Sequence, residues 1–294
     1  MKVNTQLLSE NLSQQIINTD NINILDLDRE EIINLFKSYG FLLFRGSENS
    51  VDTFTQFTNT LSKDFLDYTG GVFNRRVING NATILSVNDF NDEIKLHGEM
   101  YYQQNIPLML WFFCAHPASQ DGETILCDGR QLFNQLSSPL KELFSNKKLK
   151  FKAGRLDKEA WHKRYKTNDL RVLEQICRSN NLILQINEDE SIDIQYICPA
   201  IHLSRCGKYR IFINGLLVVK QLAPNAVCFD DDSEITDDIV SELYELAETI
   251  TTEISWKTGD ILMVDNTRMM HGRRAFSDTQ RDIYLRLCSP AFPF

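Results

Sequence analysis

At 294 residues, with 43% hydrophobic and 24% charged side chains, the chain has an ordinary globular composition and is long enough to bury a core without disulfides. The 31 Lys and Arg against 40 Asp and Glu leave a net charge of -9, and no basic stripe with interleaved aromatics offsets it, which excludes nucleic acid as a partner. Seven cysteines, odd in number and without a C-x-x-C pair, argue for a reducing compartment. The start MKVNTQLLSENLSQQI lacks a charged-then-apolar leader, and no apolar run reaches membrane length, so the expectation is a cytoplasmic protein with no membrane partner.

The first strong element is DREEIINLFKSYG, where Asp28 and Glu31 form a capping-box start, Ile32, Leu35, Phe36 and Tyr39 share a helical face, and Gly40 stops the helix. FLLFRG, 41–46, reads as a buried strand, and so does LMLWFFCAH, 108–116. From 130 to 180 the pattern turns helical, notably in TNDLRVLEQICRSNN, with Thr167 or Asn168 as the expected cap. Strand signals return in ILQI, IDIQYICPAIHL and YRIFING. The acidic stretch FDDDSEITDD then leads into the helix DIVSELYELAETI and reads as a solvated face, because calcium-loop spacing is absent. ISWKTGDILMVDN and RDIYLRLC close the chain as strands. With no repeat or linker, the expectation is a single domain over 1–294, a β-rich α+β core carrying a helical insertion at roughly 130–180.

The chemistry-bearing pattern starts at LHGEM. In an extended segment His97 and Glu99 project to one face and can converge on a metal ion, although such a pair by itself reads first as a solvent-facing or hydrogen-bonded pair at a strand end. DNTRMMHGRRAF adds His271, 174 residues after His97 and just beyond a second expected strand. Two histidines and a carboxylate in this order form a facial triad that leaves metal positions open. A zinc nucleotide deaminase is excluded, since its metal requires a P-C-x-x-C that this chain lacks. A zinc-dependent hydrolase remains open on the same three residues, because an N,N,O donor set does not separate zinc from iron. His116, His162 and His202 read as structural.

What separates the two chemistries is a seat for 2-oxoglutarate, whose far carboxylate needs a cation and a hydroxyl. Arg281 and Arg286 follow His271 and flank the strand DIYL, and Thr124 follows His97 in DGETILCDG. The arginines are an odd number of residues apart, so a regular strand sends only one of them to the pocket.

Taken together, SYGFLLFRG, LHGEM, LWFFC, GETILCDG and GDILMVDNTRMMHGRRAF with its trailing arginines resemble the TauD/TfdA superfamily of Fe(II)- and 2-oxoglutarate-dependent dioxygenases over most of the chain. The His-x-Glu variant and the wording of LHGEMYY resemble its clavaminate-synthase-like and SyrP-like branches. The resemblance implies a double-stranded β-helix (jelly-roll) core with flanking and inserted helices. It implies Fe(II) held by His97, Glu99 and His271, and 2-oxoglutarate held by Thr124 and Arg281, with Arg286 as the substitute. It further implies O2-dependent hydroxylation of an unactivated C–H bond in a small amino-acid-like substrate, free or carrier-bound, in a specialised biosynthetic pathway. Desaturation or cyclisation would use the same ligands, whereas halogenation is disfavoured because Glu99 is retained. Asn88, Tyr101 and Asn214 are the candidate substrate contacts, Arg273 and Arg274 the expected braces of the His271 loop. A non-catalytic binding protein on the same scaffold is the remaining rival.

Overall fold

The computed structural model describes residues 4–9, 12–19, 22–46, 49–67, 75–88 and 90–293. Near the N-terminus, Asp28 caps the helix Arg29–Tyr39 by accepting from the Glu31 amide at 3.0 Å. Gly40, at φ +83°, ends it with an amide bond to the Phe36 carbonyl at 2.8 Å. The chain then enters the strand Phe41–Arg45 of a nine-stranded sheet. Across that sheet the main spatial order is Asn4–Ser9, Leu12–Asn18, Phe41–Arg45, Ile261–Asp265, Met109–His116, Asp282–Pro290, Asn81–Ser86 and Val77–Ile78. A four-stranded sheet lies opposite, ordered Thr252–Ile254, Thr124–Asp128, Met269–Arg273 and Ile94–His97.

Consecutive strands cross from one sheet to the other. Ile94–His97 is in the small sheet, Met109–His116 in the large and Thr124–Asp128 in the small; after the insertion, Ile261–Asp265, Met269–Arg273 and Asp282–Pro290 repeat the alternation. This winding is the double-stranded β-helix, and it buries the large sheet on both faces. In Met109–His116, Leu110, Phe112 and Cys114 pack, with Leu285 of the same sheet, against Leu126, Ile254 and Met269 of the small sheet. Trp111 and Phe113 face the other way, into a cluster with Phe36, Phe44, Phe54 and Phe57 from the two N-terminal helices and their neighbours. A strand buried on both sides has no use for alternating polarity, which is why LMLWFFCAH is apolar throughout.

The segment between Thr124–Asp128 and Thr252–Ile254 carries the insertion. Its helices Gly129–Gln135, Ser138–Asn146, Lys158–Tyr165 and Leu170–Ser179 fall where helical periodicity places them. The stretch also contains a strand, Leu149–Leu156, paired between Ile192–Cys198 and Val227–Phe229. Alternating Leu149 and Phe151 suit a strand, and Lys150 between them is buried because its amine meets Asp232 at 2.8 Å. The cap of Leu170–Ser179 is Asp169, which accepts from the Arg171 amide, rather than Thr167 or Asn168. The acidic stretch is exposed at Asp231 and Asp232, which pair with lysines. All seven cysteines are free, and no helix among the described residues is long and apolar enough to cross a membrane.

Candidate metal centre

His97 is the last residue of Ile94–His97 and stands directly opposite His271 on Met269–Arg273, a cross-strand pairing that sets the rings 4.3 Å apart at 44°. Two glycines make this approach possible. A Cβ on Gly272 would lie 2.4 Å from the Ile94 carbonyl oxygen, and one on Gly98 would lie 2.4 Å from the Tyr101 ring. Glu99 is not brought in by strand alternation, because the strand ends at His97. The chain turns, and Asn266 fixes the turn: its Oδ1 accepts from the Glu99 amide at 2.8 Å, and its Nδ2 donates to the Glu99 carbonyl at 3.1 Å and to that of Pro107 at 2.7 Å. Tyr101 donates its hydroxyl to the Asn266 carbonyl at 3.1 Å.

Donor atoms of His97, Glu99 and His271 lie within 4.8 Å of one another. Glu99 Oε2 is 3.4 Å from His271 Nε2 and 3.7 Å from His97 Nε2. His97 Nδ1 donates to the Lys95 carbonyl at 2.9 Å, which leaves the lone pair on Nε2, the nitrogen aimed at the cluster. Burial, and then the neighbouring His97, push His271 down to about 4, so it stays a neutral donor. Its Nδ1 is buried without a hydrogen-bond partner among the described residues. Burial alone would raise the Glu99 carboxyl, but Arg75, His271 and His97 outweigh it and hold the group well below the usual carboxylate range. Two imidazoles and one ionised carboxylate are the donor set a divalent metal takes, so these residues fit such an ion.

Beyond this cluster, Thr124 opens Thr124–Asp128 opposite Arg273, and its hydroxyl oxygen accepts from Trp256 Nε1 at 3.0 Å, leaving its proton to donate. Arg281 is buried just before Asp282–Pro290, its guanidinium 4.9 Å from the Phe276 ring centre. Its hydrogen bonds go to neutral oxygens, Gly122 O at 3.2 Å and Asn88 Oδ1 at 2.8 Å. Burial, then the charge of Arg273, pull it down to about 9, the signature of a cation lacking a full counter-charge.

Arg286, the alternative, is removed from the pocket by the register. It stands opposite Trp111 on the outer face, where it donates to Asn59 Oδ1 at 3.1 Å, to Thr83 Oγ1 at 3.1 Å and to the Thr58 hydroxyl, and it covers Phe65.

The candidate substrate contacts each have protein partners in this structure. Asn88 has its amide committed to Ser86 Oγ and Asp282 Oδ1 and its oxygen to Arg281, so it braces that arginine. Asn214 is buried, donating to Ala200 O and capping the Leu216 amide, while its carbonyl accepts from Gly98. Tyr101 serves the Asn266 turn. His116 is exposed, His162 packs on Trp161, and His202 meets the Tyr101 ring edge-on. Arg273 holds the carbonyls of Val87, Phe90 and Asp92, and Arg274 pairs with Glu93, Glu248 and Glu253, so both brace their surroundings as expected.

Sequence reasoning missed three residues. Asn266 was legible only as a polar residue after an apolar strand, Trp256 carried no signal of its bond to Thr124, and Arg75 was one of two adjacent arginines in a stretch without a motif. Arg75 Nη2 lies 3.7 Å from Glu99 Oε1.

The family model for the taurine catabolism dioxygenase TauD, TfdA family matches residues 5–288. A clavaminate synthase-like protein of Arabidopsis thaliana is 24% identical over 275 residues, covering 87% of this chain and 83% of its own. The dapdiamide synthesis protein DdaC of Enterobacter agglomerans is 23% identical over 284 residues, covering 89% and 86%. Among solved structures, PvcB, described as an Fe, alpha-ketoglutarate dependent oxygenase from an isonitrile synthetic pathway, superposes with a TM-score of 0.61 at 12% identity, covering 98% of this chain and 91% of its own.

Proposed function

This chain belongs to the taurine catabolism dioxygenase TauD, TfdA family, and from that premise we propose that it is a single-domain Fe(II)/2-oxoglutarate-dependent dioxygenase hydroxylating an unactivated C–H bond of a small amino-acid-like substrate, free or carrier-bound. The observation that carries the reading is the convergence of His97 Nε2, Glu99 Oε2 and His271 Nε2. Clavaminate synthase-like and dapdiamide-synthesis relatives support a role in a specialised biosynthetic pathway.

In this reading His97, Glu99 and His271 hold Fe(II), which supplies O2 activation coupled to oxidative decarboxylation of 2-oxoglutarate. Arg281 and the Thr124 hydroxyl hold the far carboxylate of the co-substrate by charge-assisted hydrogen bonds in a buried site. Asn88 and the Gly122 carbonyl fix the orientation of the Arg281 guanidinium, and Trp256 fixes the Thr124 rotor. Phe112, whose ring centre is 5.6 Å from that of His271, presents an apolar wall that keeps water from the cluster.

Mixing Fe(II), 2-oxoglutarate and protein without oxygen is expected to give a weak visible charge-transfer band, and succinate release is expected with O2 across a panel of amino acids and carrier-bound aminoacyl groups. A protein that binds iron but shows no band, or that turns over substrate under strict oxygen exclusion, is not this enzyme; the latter result would select a zinc hydrolase. His271→Ala removes both band and succinate release.

A further inference from the structure

We propose that Gln221 is a positioning residue for the metal centre: its side-chain amide splints the free edge of the strand that ends in His97 and, through the Lys95 peptide, fixes the aim of the His97 ring. The proposal rests on the reading of His97 as a metal ligand. Ile94–His97 stands at the end of the small sheet, and its register against Met269–Arg273 shifts between the His271–His97 and Arg273–Ile94 pairs. A short, irregularly paired edge strand is a poor support for a ligand, because its outward amides and carbonyls are open to water and such edges fray first.

Alternation decides which groups face that edge. The Ile94 carbonyl oxygen lies against Gly272 of the neighbouring strand, so the backbone polar groups of Glu93 and Lys95 fall on the opposite, outer side. Gln221 takes both: its Nε2 donates to the Glu93 carbonyl at 2.6 Å, and its Oε1 accepts from the Lys95 amide at 2.9 Å. These are the two bonds that a residue of an adjoining parallel strand would make on either side of Ile94, supplied here by one side chain. The Lys95 carbonyl in turn accepts from His97 Nδ1 at 2.9 Å. A shift of the Lys95 peptide therefore turns the imidazole that Nδ1 anchors to it.

Gln221 stands on the helix Leu216–Leu222 of the insertion, and that helix also holds the other end of the segment. The Asn214 carbonyl, just before it, accepts from the Gly98 amide at 2.9 Å, while Asn214 Oδ1 caps the Leu216 amide at 2.9 Å. The residues on both sides of His97 are thus fixed to one element. The Lys95 amine adds a side-chain hold, meeting Glu93 at 2.8 Å and lying 3.5 Å from the Tyr244 ring centre. Those contacts survive the loss of Gln221, so its removal loosens the ring without unfolding the strand. Gln221 itself is exposed, and changing it opens no cavity in the core.

The test titrates the full chain, stripped of metal by a chelator, with Co(II), following its visible d–d absorption and competition by the chelator, with unfolding curves and amide hydrogen exchange in parallel. Gln221→Met, which keeps the size and loses both bonds, is expected to weaken Co(II) binding about tenfold, the scale of a group that orients a ligand, and to remove exchange protection from the Lys95 amide. Gln221→Glu retains the acceptor for Lys95 and is expected to recover part of both. Leu222→Ala, at the exposed end of the same helix, is expected to leave both unchanged. A Gln221→Met protein that binds Co(II) like the wild type, or that weakens only in proportion to its unfolded fraction, overturns the proposal; so does an equal loss in Leu222→Ala. A His97→Ala protein that binds Co(II) as tightly as the wild type removes the ligand reading on which the proposal stands. Co(II) affinity is read without 2-oxoglutarate or O2, whereas the dioxygenase reading answers to the visible band of the wild-type Fe(II) complex, so failure of either statement is told apart from failure of the other.

Discussion

The large sheet has two faces that use the same kinds of residue for different ends. On the outer face, Trp111 stacks on Phe44 at 6.4 Å, meets Phe57 edge-on at 5.7 Å and donates its indole N–H to Ser62, while Arg286 gives hydrogen bonds to four oxygens of neutral residues. On the inner face, Phe112 lies against His271, and just before the strand the buried Arg281 donates to Gly122 O and Asn88 Oδ1. Both cations are pulled below the ordinary guanidinium range by burial, and Arg286 keeps a buried Nε without a hydrogen-bond partner among the described residues. What separates them is place: Arg286 stands opposite Trp111 on the outer face, whereas Arg281 meets Gly122 and Asn88 just before the strand.

Substitutions break this comparison in graded ways. Trp111→Ala, on the outer face, is expected to cost about 3–5 kcal/mol of stability, measured by denaturant unfolding, with unchanged 2-oxoglutarate affinity in the folded protein. Arg281→Gln, on the inner face, is expected to do the reverse: about a hundredfold weaker 2-oxoglutarate binding by the visible band, with stability retained or raised as a destabilised buried cation is removed.

A third prediction concerns the rim between the faces, where burial pushes the Asp265 carboxyl up to about 6 despite hydrogen bonds from Thr267. A carboxyl raised on folding binds its proton more tightly in the folded state. Its contribution to stability therefore grows as pH falls from 7 through 6 toward the unfolded value of 3.8 and is lost as pH rises through 6. Relative to Asp265→Asn, the wild type is expected to gain about 2 kcal/mol between pH 7 and 4.5 in unfolding titrations; a flat difference would show that Asp265 is solvated. The smallest effect is expected from Asn266→Ala, which frees the Glu99 turn and weakens metal binding about tenfold by competition with a chelator while leaving 2-oxoglutarate selectivity intact.

Much of this architecture was legible because local rules operate where the fold is regular. Asp28 and Gly40 bound the first helix as capping chemistry requires, and apolar runs marked the strands buried on both faces. The structure places Arg286 on the outer face through its pairing with Trp111, whereas Arg281 lies just before the strand, outside the alternation that the odd spacing assumed. Where the chain leaves regular geometry, the reading failed. Glu99 reaches the cluster through a turn held by Asn266, not through alternation, and the strand Leu149–Leu156 interrupts a stretch whose periodicity was helical on both sides. Asn88, Tyr101 and Asn214 lay at plausible positions in sequence, yet each is engaged by neighbours that come from distant segments.

By itself the sequence determined which donor atoms exist and in what order along the chain: an imidazole and a carboxylate around one glycine, a distant imidazole beside another, a threonine and two arginines. Residue chemistry and side-chain periodicity are local properties, so they survive without coordinates. Which of those groups meet was decided only by the pairing of His97 with His271, by the outer face that Arg286 takes opposite Trp111, and by Arg75 arriving next to Glu99. Such meetings depend on cross-strand register and on turns between sheets, and both are set by the packing of segments far apart in the chain.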